Sequence, residues 1–378
     1  MFIFTVLLLP CALATSIAQI LAWRFVGGLA GSVMIANAPG SVADIVNDEY
    51  RAFAFSMWSM GPMLGPIWGP VIGGFVVQYL GWRWTNWLVL IVAGTAWISL
   101  VCVRETYSPA ILRRKAKRRR QETGDNRWHS RYDDKLDLWP LLKLQFWCLY
   151  IGVVYGILYL CFVAYPIVFS QIRGWTPGLA GLSFLGIGVG SFLAIGLEPL
   201  IRRLINGHKI DPETGRVPPE AMVSVICVAA ILSPLGEIWF AWTCVPADLH
   251  WIWCVLAGVP FGAGNTIIFI YATNYLANSY GIYAASALAG STVVRSLMGG
   301  LLPLAGSALY SNLGPQWAGT LLGLLEVMLI PIPFVFYKYG HRIRLRSALI
   351  QSMQRDKERL AGKRARQAQR SEGVTKEP

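Results

Sequence analysis

Arg24, Glu198, Arg295 and Glu326 are ionisable residues set in or at the ends of long apolar runs. A charge held in hydrocarbon costs at least about 2.5–3.5 kcal/mol on insertion scales. Such a residue therefore faces a cavity, finds a partner or exchanges a proton. A desolvated acid can carry a proton, which makes Glu198 and Glu326 candidates. Glu198 lies beside Pro199 and four residues before Arg202, so an interfacial ion pair is the alternative reading there. Arg24 can instead snorkel to an interface, and Arg295, set among Ser291, Thr292 and Ser296, can be a structural pair. Enzyme chemistry is not on offer. His129, His208, His250 and His341 are far apart, and the chain has no His-x3-His, Gly-x-Ser-x-Gly or phosphate-binding Gly-rich Lys loop. The seven cysteines lack paired spacing and read as small buried hydrophobes, with no metal site.

A second group of residues offers binding. Tyr155, Tyr159 and Phe162 share one helical face at spacings of four and three. Facing a cavity, they would hold flat hydrophobic molecules by area and stacking; facing neighbours, they would only pack. Asn265, Thr266, Asn274 and Asn278 recur on one later run. Amides in hydrocarbon need partners, so substrate contact and interhelical hydrogen bonds are equal readings.

The elements that must position these residues are membrane helices. The chain is 55% hydrophobic and 14% charged, against about 25% charged in a soluble domain. Apolar runs near 1–16, 18–44, 52–79, 84–103, 146–170, 178–200, 222–243, 250–276, 284–310 and 316–337 give about ten spans at roughly 20 residues each. The net charge of +13 does not point to nucleic acid. Twelve of the 33 Lys and Arg fall in 104–143, seven of them in Arg113–Arg120, and twelve more in 338–378. That is the distribution of cytoplasmic loops under the positive-inside rule, and it places both termini on the cytoplasmic side. The first run imitates a signal peptide, but no Lys or Arg precedes Arg24.

One run carries a motif. Gly61-Pro-Met-Leu-Gly65-Pro-Ile-Trp-Gly69-Pro-Val-Ile-Gly73-Gly74 sets three Gly-Pro pairs four residues apart. A period of four keeps each residue type on one helical stripe. The glycine stripe predicts a close helix–helix contact, and the prolines, each removing a hydrogen bond, predict a bendable helix.

These residues resemble one family, the fungal drug:H+ antiporters of the major facilitator superfamily with twelve spans. Gly61, Gly65, Gly69, Pro70, Gly73 and Gly74 are similar to the family's fifth-span antiporter motif. Arg24-Phe-Val-Gly-Gly28 resembles the fourth-span motif, Gly81-Trp-Arg-Trp84 the start of span six, and Arg104-Glu-Thr-Tyr-Ser-Pro109 the element that ends it. The resemblance implies an all-α polytopic major facilitator fold with two helical bundles around a central cavity. The bundles would be 1–103 with four spans and 146–340 with six, separated by a basic cytoplasmic loop, 104–145, and followed by a basic cytoplasmic tail, 341–378. Nothing in the chain corresponds to the family's first two spans, and Asn278 stands where this subgroup carries Asp. The implied activity is efflux of a hydrophobic small molecule (a secondary metabolite, toxin or antifungal drug) across the plasma membrane by proton antiport. Arg24, Glu198 and Arg295 would serve proton coupling, and Tyr155, Tyr159, Phe162, Asn265 and Asn274 the substrate cavity. The partners would be substrate, protons and the lipid bilayer, with no cofactor, no nucleic acid and a monomeric state. An uncoupled facilitator and a non-transporting relic or assembly partner stay open as alternatives.

Overall fold

In hydrocarbon every backbone N–H and C=O must be satisfied within the segment, which leaves the helix as the solution for apolar runs of this length. A computed structural model describes residues 1–46, 51–101, 108–124, 145–208, 217–245, 249–280 and 284–345, and among them there is no strand. The helices are α1 (Phe2–Leu13), α2 (Ile17–Ile45), α3 (Arg51–Leu80), α4 (Trp82–Val101), α5 (Ser108–Thr123), α6 (Gln145–Pro166, prolonged by a π-helical turn over Ile167–Ile172), α7 (Pro177–Leu182), α8 (Leu185–Gly196), α9 (Glu198–Asn206), α10 (Glu220–Thr243), α11 (Ile252–Tyr280), α12 (Ala284–Leu329) and α13 (Pro331–Leu345).

Eight of the described helical stretches are long and apolar enough to cross a membrane. The last, Ala287–Gly340, has 54 residues and would be about 80 Å long if straight, against a hydrocarbon core of about 30 Å. Gly314, at φ 74° and ψ 159°, breaks it into two limbs, which accounts for two of the expected spans. Only a residue without Cβ adopts that φ readily. The first expected span is shorter than predicted: α1 has 12 residues and contains Pro10, about 18 Å of helix.

The segment expected as a loop over 104–145 contains α5. From Ala110 to Thr123 it is built largely of Ala, Leu, Arg, Lys, Gln and Glu, all strong helix formers. Arg118 Nε bonds Glu122 Oε1 at 2.7 Å along its exposed surface. The Arg104–Tyr107 part of the span-six element and tail residues 346–378 lie outside the described residues.

The core sits in the second half. The spans Trp147–Ile172, Pro177–Gly196, Glu220–Thr243 and Ile252–Ser279 are 56–67% buried within the protein, whereas Ile17–Ile35, Met57–Leu80 and Trp82–Val101 are 6–17% buried. Glycines allow that density. Gly186 and Gly190 of α8 lie against the Val255 and Val259 carbonyls of α11, and Gly258 and Gly262 return the contact onto Ile187. This is small-residue packing of the membrane type. On α6, Gly152 and Gly156 receive Val294, Met298 and Leu302 of the first limb of α12. The first-half helix α3 joins this core through Ile67 and Val71, both buried.

Arg173 follows the π-turn and ties one end of the bundle together. Its guanidinium donates to the Leu249 carbonyl at 2.8 Å and the Thr243 carbonyl at 3.4 Å, with Cys254 Sγ at 3.5 Å. Six cysteines fall among the described residues, and all are free and buried, as small hydrophobes would be.

Candidate functional site

Where α3 meets α6 and α11, a narrow cleft is lined by Met63, Ile151, Val154, Tyr155, Leu158, Asn265, Ile268 and Phe269. The helical period puts Ile151, Tyr155 and Leu158 on one face of α6, and Asn265, Ile268 and Phe269 on one face of α11. The cleft is tight, about 10 Å³ or room for roughly one water molecule, and its lining is apolar apart from Tyr155 and Asn265. Tyr155 donates its hydroxyl hydrogen to Tyr159 Oη at 3.0 Å. From there the rings continue through Phe162, 5.3 Å edge-on from Tyr159, to Phe184, stacked 5.4 Å from Phe162.

Arg295 stands behind this wall. Its guanidinium lies 5.1 Å from the Tyr155 ring centre and 4.8 Å from that of Phe269. It is 5% exposed, and its Nε has no hydrogen-bond partner. Two desolvated cation–π contacts can each contribute about 2 kcal/mol, which offsets part of the burial cost. No carboxylate pairs with Arg295 among the described residues. Instead a fixed positive charge is held against the two aromatic rings that wall the cleft.

The other residues expected in the cavity divide. Tyr155 and Asn265 line the cleft, whereas Tyr159, Phe162 and Asn274 do not. Asn274 is fully buried two and a half turns further along α11, and neither amide atom has a partner. Asn265 Nδ2 also donates to Ser233 Oγ at 3.0 Å and to the Phe261 carbonyl at 3.1 Å. Thr266 donates to Ser191 Oγ at 2.8 Å, so it serves interhelical packing. Asn278 Nδ2 approaches the Met222 sulfur at 3.6 Å.

The three residues expected to couple protons engage three different partners. Arg24, exposed on α2, donates to Asn86 Oδ1 of α4 at 2.8 Å. Asn86 is 3% exposed and escapes sequence reasoning, although a lone amide early in an apolar span is a signal for a polar partner. Glu198 is buried, and Arg202 Nε lies 3.8 Å from its Oε1, the interfacial pair named as the alternative. Sequence reasoning also misses Glu237, a buried acid in the middle of an apolar span.

The glycine stripe does not make the contact expected of it. A Cβ at Gly61, Gly65, Gly69 or Gly73 would meet nothing within 4 Å. The close approach falls on the adjoining face. Gly74 packs on the Pro177 carbonyl, Gly181 of α7 packs on the Pro70 carbonyl, and Gly178 N–H donates to Gln78 Oε1 at 3.0 Å. A period of four defines several parallel stripes, and the buried Met63, Ile67 and Val71 mark the one that faces the second half. The motif helix is thus the principal joint between the halves, with Trp58 stacked on Phe269 at 6.1 Å nearer its start.

Among the described residues the regular elements are helices, eight of them long and apolar enough to cross a membrane, and the glycine- and proline-rich α3 meets α6 and α11 at a cleft, an arrangement suited to a transporter. The chain matches the Major Facilitator Superfamily over residues 1–303 and belongs to it. It is 40% identical over 367 residues to the ascochitine biosynthesis cluster MFS transporter of Didymella fabae, covering 91% of this chain and 70% of that protein. Identity is also 40%, over 90% of this chain and 72% of its relative, with the citrinin biosynthesis cluster MFS transporter mrr1 of Monascus ruber. The efflux pump atB of Aspergillus terreus is 38% identical over 92% of this chain and 77% of its own length. The protein is a multi-pass membrane transporter and not an enzyme.

Proposed function

We propose that this chain exports a hydrophobic, aromatic small molecule of the secondary-metabolite class by proton antiport. The plasma membrane is its site, with both termini and the basic segment 104–145 on the cytoplasmic side. The observation that carries the reading is the cleft at the joint of the halves, walled by Tyr155 and Phe269 with Arg295 against both rings. Rings bind flat apolar bodies by area, and the nearby fixed cation favours substrates with a carboxylate, phenolate or carbonyl edge. Relatives named as efflux pumps and as transporters of biosynthesis clusters support the direction and the substrate class. Rocking of the halves about a site between them would expose it to each side in turn.

The test is efflux of an aromatic dye from yeast expressing the chain. Arg295→Ala should abolish efflux, Arg295→Lys should keep part of it, and a protonophore should collapse it in the wild type. Efflux that ignores the protonophore would make the protein an uncoupled facilitator. Undiminished efflux in Arg295→Ala would show that the cleft is not the site.

A further inference from the structure

Glu237 of α10 and Glu326 of the second limb of α12 are each 3% exposed, deep in the second bundle. Their helices touch almost backbone to backbone. Gly323 packs on Ile238, and Gly319, two turns before Glu326, lies against Ala241 with Glu237 Oε1 also within reach. The register of these contacts, Gly319 on Ala241 and Gly323 on Ile238, sets Glu326 about one turn along from Glu237 on the facing helix. The titratable groups facing them are Tyr150, Cys161 and Tyr165 from α6, Tyr310 from the first limb of α12, and Cys244 at the end of α10. None of these is a cation, and neither acid has an ion-pair partner among the described residues.

Three polar atoms in this place are orphaned. Both oxygens of Glu326 are buried without a hydrogen-bond partner, and so is the hydroxyl of Tyr150, which faces Glu326. Tyr150 is 2% exposed and comes from a different helix, so it is independent of the acids. An ionised carboxylate only accepts hydrogen bonds, whereas a protonated one also donates. Two uncompensated charges side by side would cost several kcal/mol each, and a proton on each carboxyl removes that cost.

The acids are also connected to the cleft. Ser233, one turn before Glu237 on α10, accepts from Asn265 Nδ2 at 3.0 Å, and that bond does not use the serine's own hydroxyl hydrogen. Asn265 lines the cleft. A molecule that takes the Asn265 amide for itself removes a donor from Ser233 and changes what the hydroxyl can offer Glu326.

We propose that Glu237 and Glu326 form a proton-binding pair, joined to the substrate cleft through Ser233 and Asn265, and that this pair carries the coupling proton. The inference rests on the antiport reading. At rest each carboxyl holds a proton and the pair is neutral. One O–H bond breaks, the proton passes to water on the side then open, and one negative charge remains on the pair. Reprotonation from the other side restores neutrality.

The experiment uses the purified full chain in lipid nanodiscs with rhodamine 6G as the probe. The wild type should show a protonated-carboxyl infrared band at neutral pH, which Glu237→Gln and Glu326→Gln each diminish. Adding rhodamine 6G should release protons from the wild type and none from either variant. Glutamine keeps the shape without the charge, and size-exclusion chromatography checks that the variants fold. If they do not, Glu237→Asp and Glu326→Asp should retain both band and release. Ser233→Ala should retain the band and lose most of the release. An unchanged band in both glutamine variants, or full proton release in either, overturns the pair and leaves antiport standing if wild-type efflux still collapses under a protonophore. Wild-type efflux indifferent to the protonophore overturns antiport itself, and the role of the pair with it.

Discussion

Gly74→Ala and Gly69→Leu, two changes five residues apart on one helix, should have opposite outcomes. A methyl group at Gly74 falls inside contact distance of the Pro177 carbonyl oxygen, with Gly178 Cα at 3.3 Å behind it. Neither is the free end of a flexible side chain, so α3 and α7 must separate. Overpacking of this kind costs about 1–3 kcal/mol. At Gly69 a new side chain meets nothing within 4 Å, and leucine there only adds apolar surface, so its cost should be close to zero. The Gly74 penalty applies only to conformations in which α3 and α7 touch. A penalty of 1–3 kcal/mol confined to one state shifts the populations by about 5- to 150-fold. Efflux should therefore fall by a factor in that range in Gly74→Ala, with lower thermal stability in detergent, while Gly69→Leu keeps wild-type values for both. Normal efflux in Gly74→Ala, or its loss in Gly69→Leu, would refute the assignment of the contact face.

Arg24→Ala and Asn86→Ala remove the two ends of one hydrogen bond to a charged group, worth about 1.5–3 kcal/mol. Thermal stability in detergent should drop in each, and the double variant should be no worse than the poorer single one; additive losses would show that the two act separately. For topology, Arg118→Cys in a variant whose seven native cysteines are replaced by alanine should react with an impermeant maleimide only after cells are opened. Labelling in intact cells would invert the orientation.

How much was legible follows from what each signal measures. Hydropathy reports on the bilayer as solvent, and the apolar runs it marks are helices in the structure, with the run over 1–16 forming only the 12-residue α1. Periodicity identified the motif helix but not its contact face, because a repeat of four marks glycine, proline and aliphatic stripes alike. Here the aliphatic stripe of Met63, Ile67 and Val71 is the one buried. Tyr155 was identified on its own helix, but its contact with Arg295 spans 140 residues of sequence and nothing local announces it. Glu237 went unread although, as a lone acid in an apolar run, it carries the same signal as Glu326. The proposed pairing of Glu237 with Glu326 depends on how α10 meets the second limb of α12, which no local sequence signal announces.

The separate observations on α3 combine into one constraint. Its later turns are locked to α7 through Gly74, Pro70 and Gln78. Its middle contributes Met63 to the cleft. Its earlier part lays Trp58 on Phe269, and Phe269 covers the Arg295 guanidinium. One rigid movement of α3 away from the second half would therefore open the cleft and strip a ring from the stack over a buried cation. Water reaching that cation would gain its full hydration, and the loss of two apolar contacts would oppose it. The three prolines inside α3 each remove a backbone hydrogen bond, so the helix can bend between its locked end and its stacked end. The cleft can then open at one end of α3 while the other remains closed, as alternating access requires.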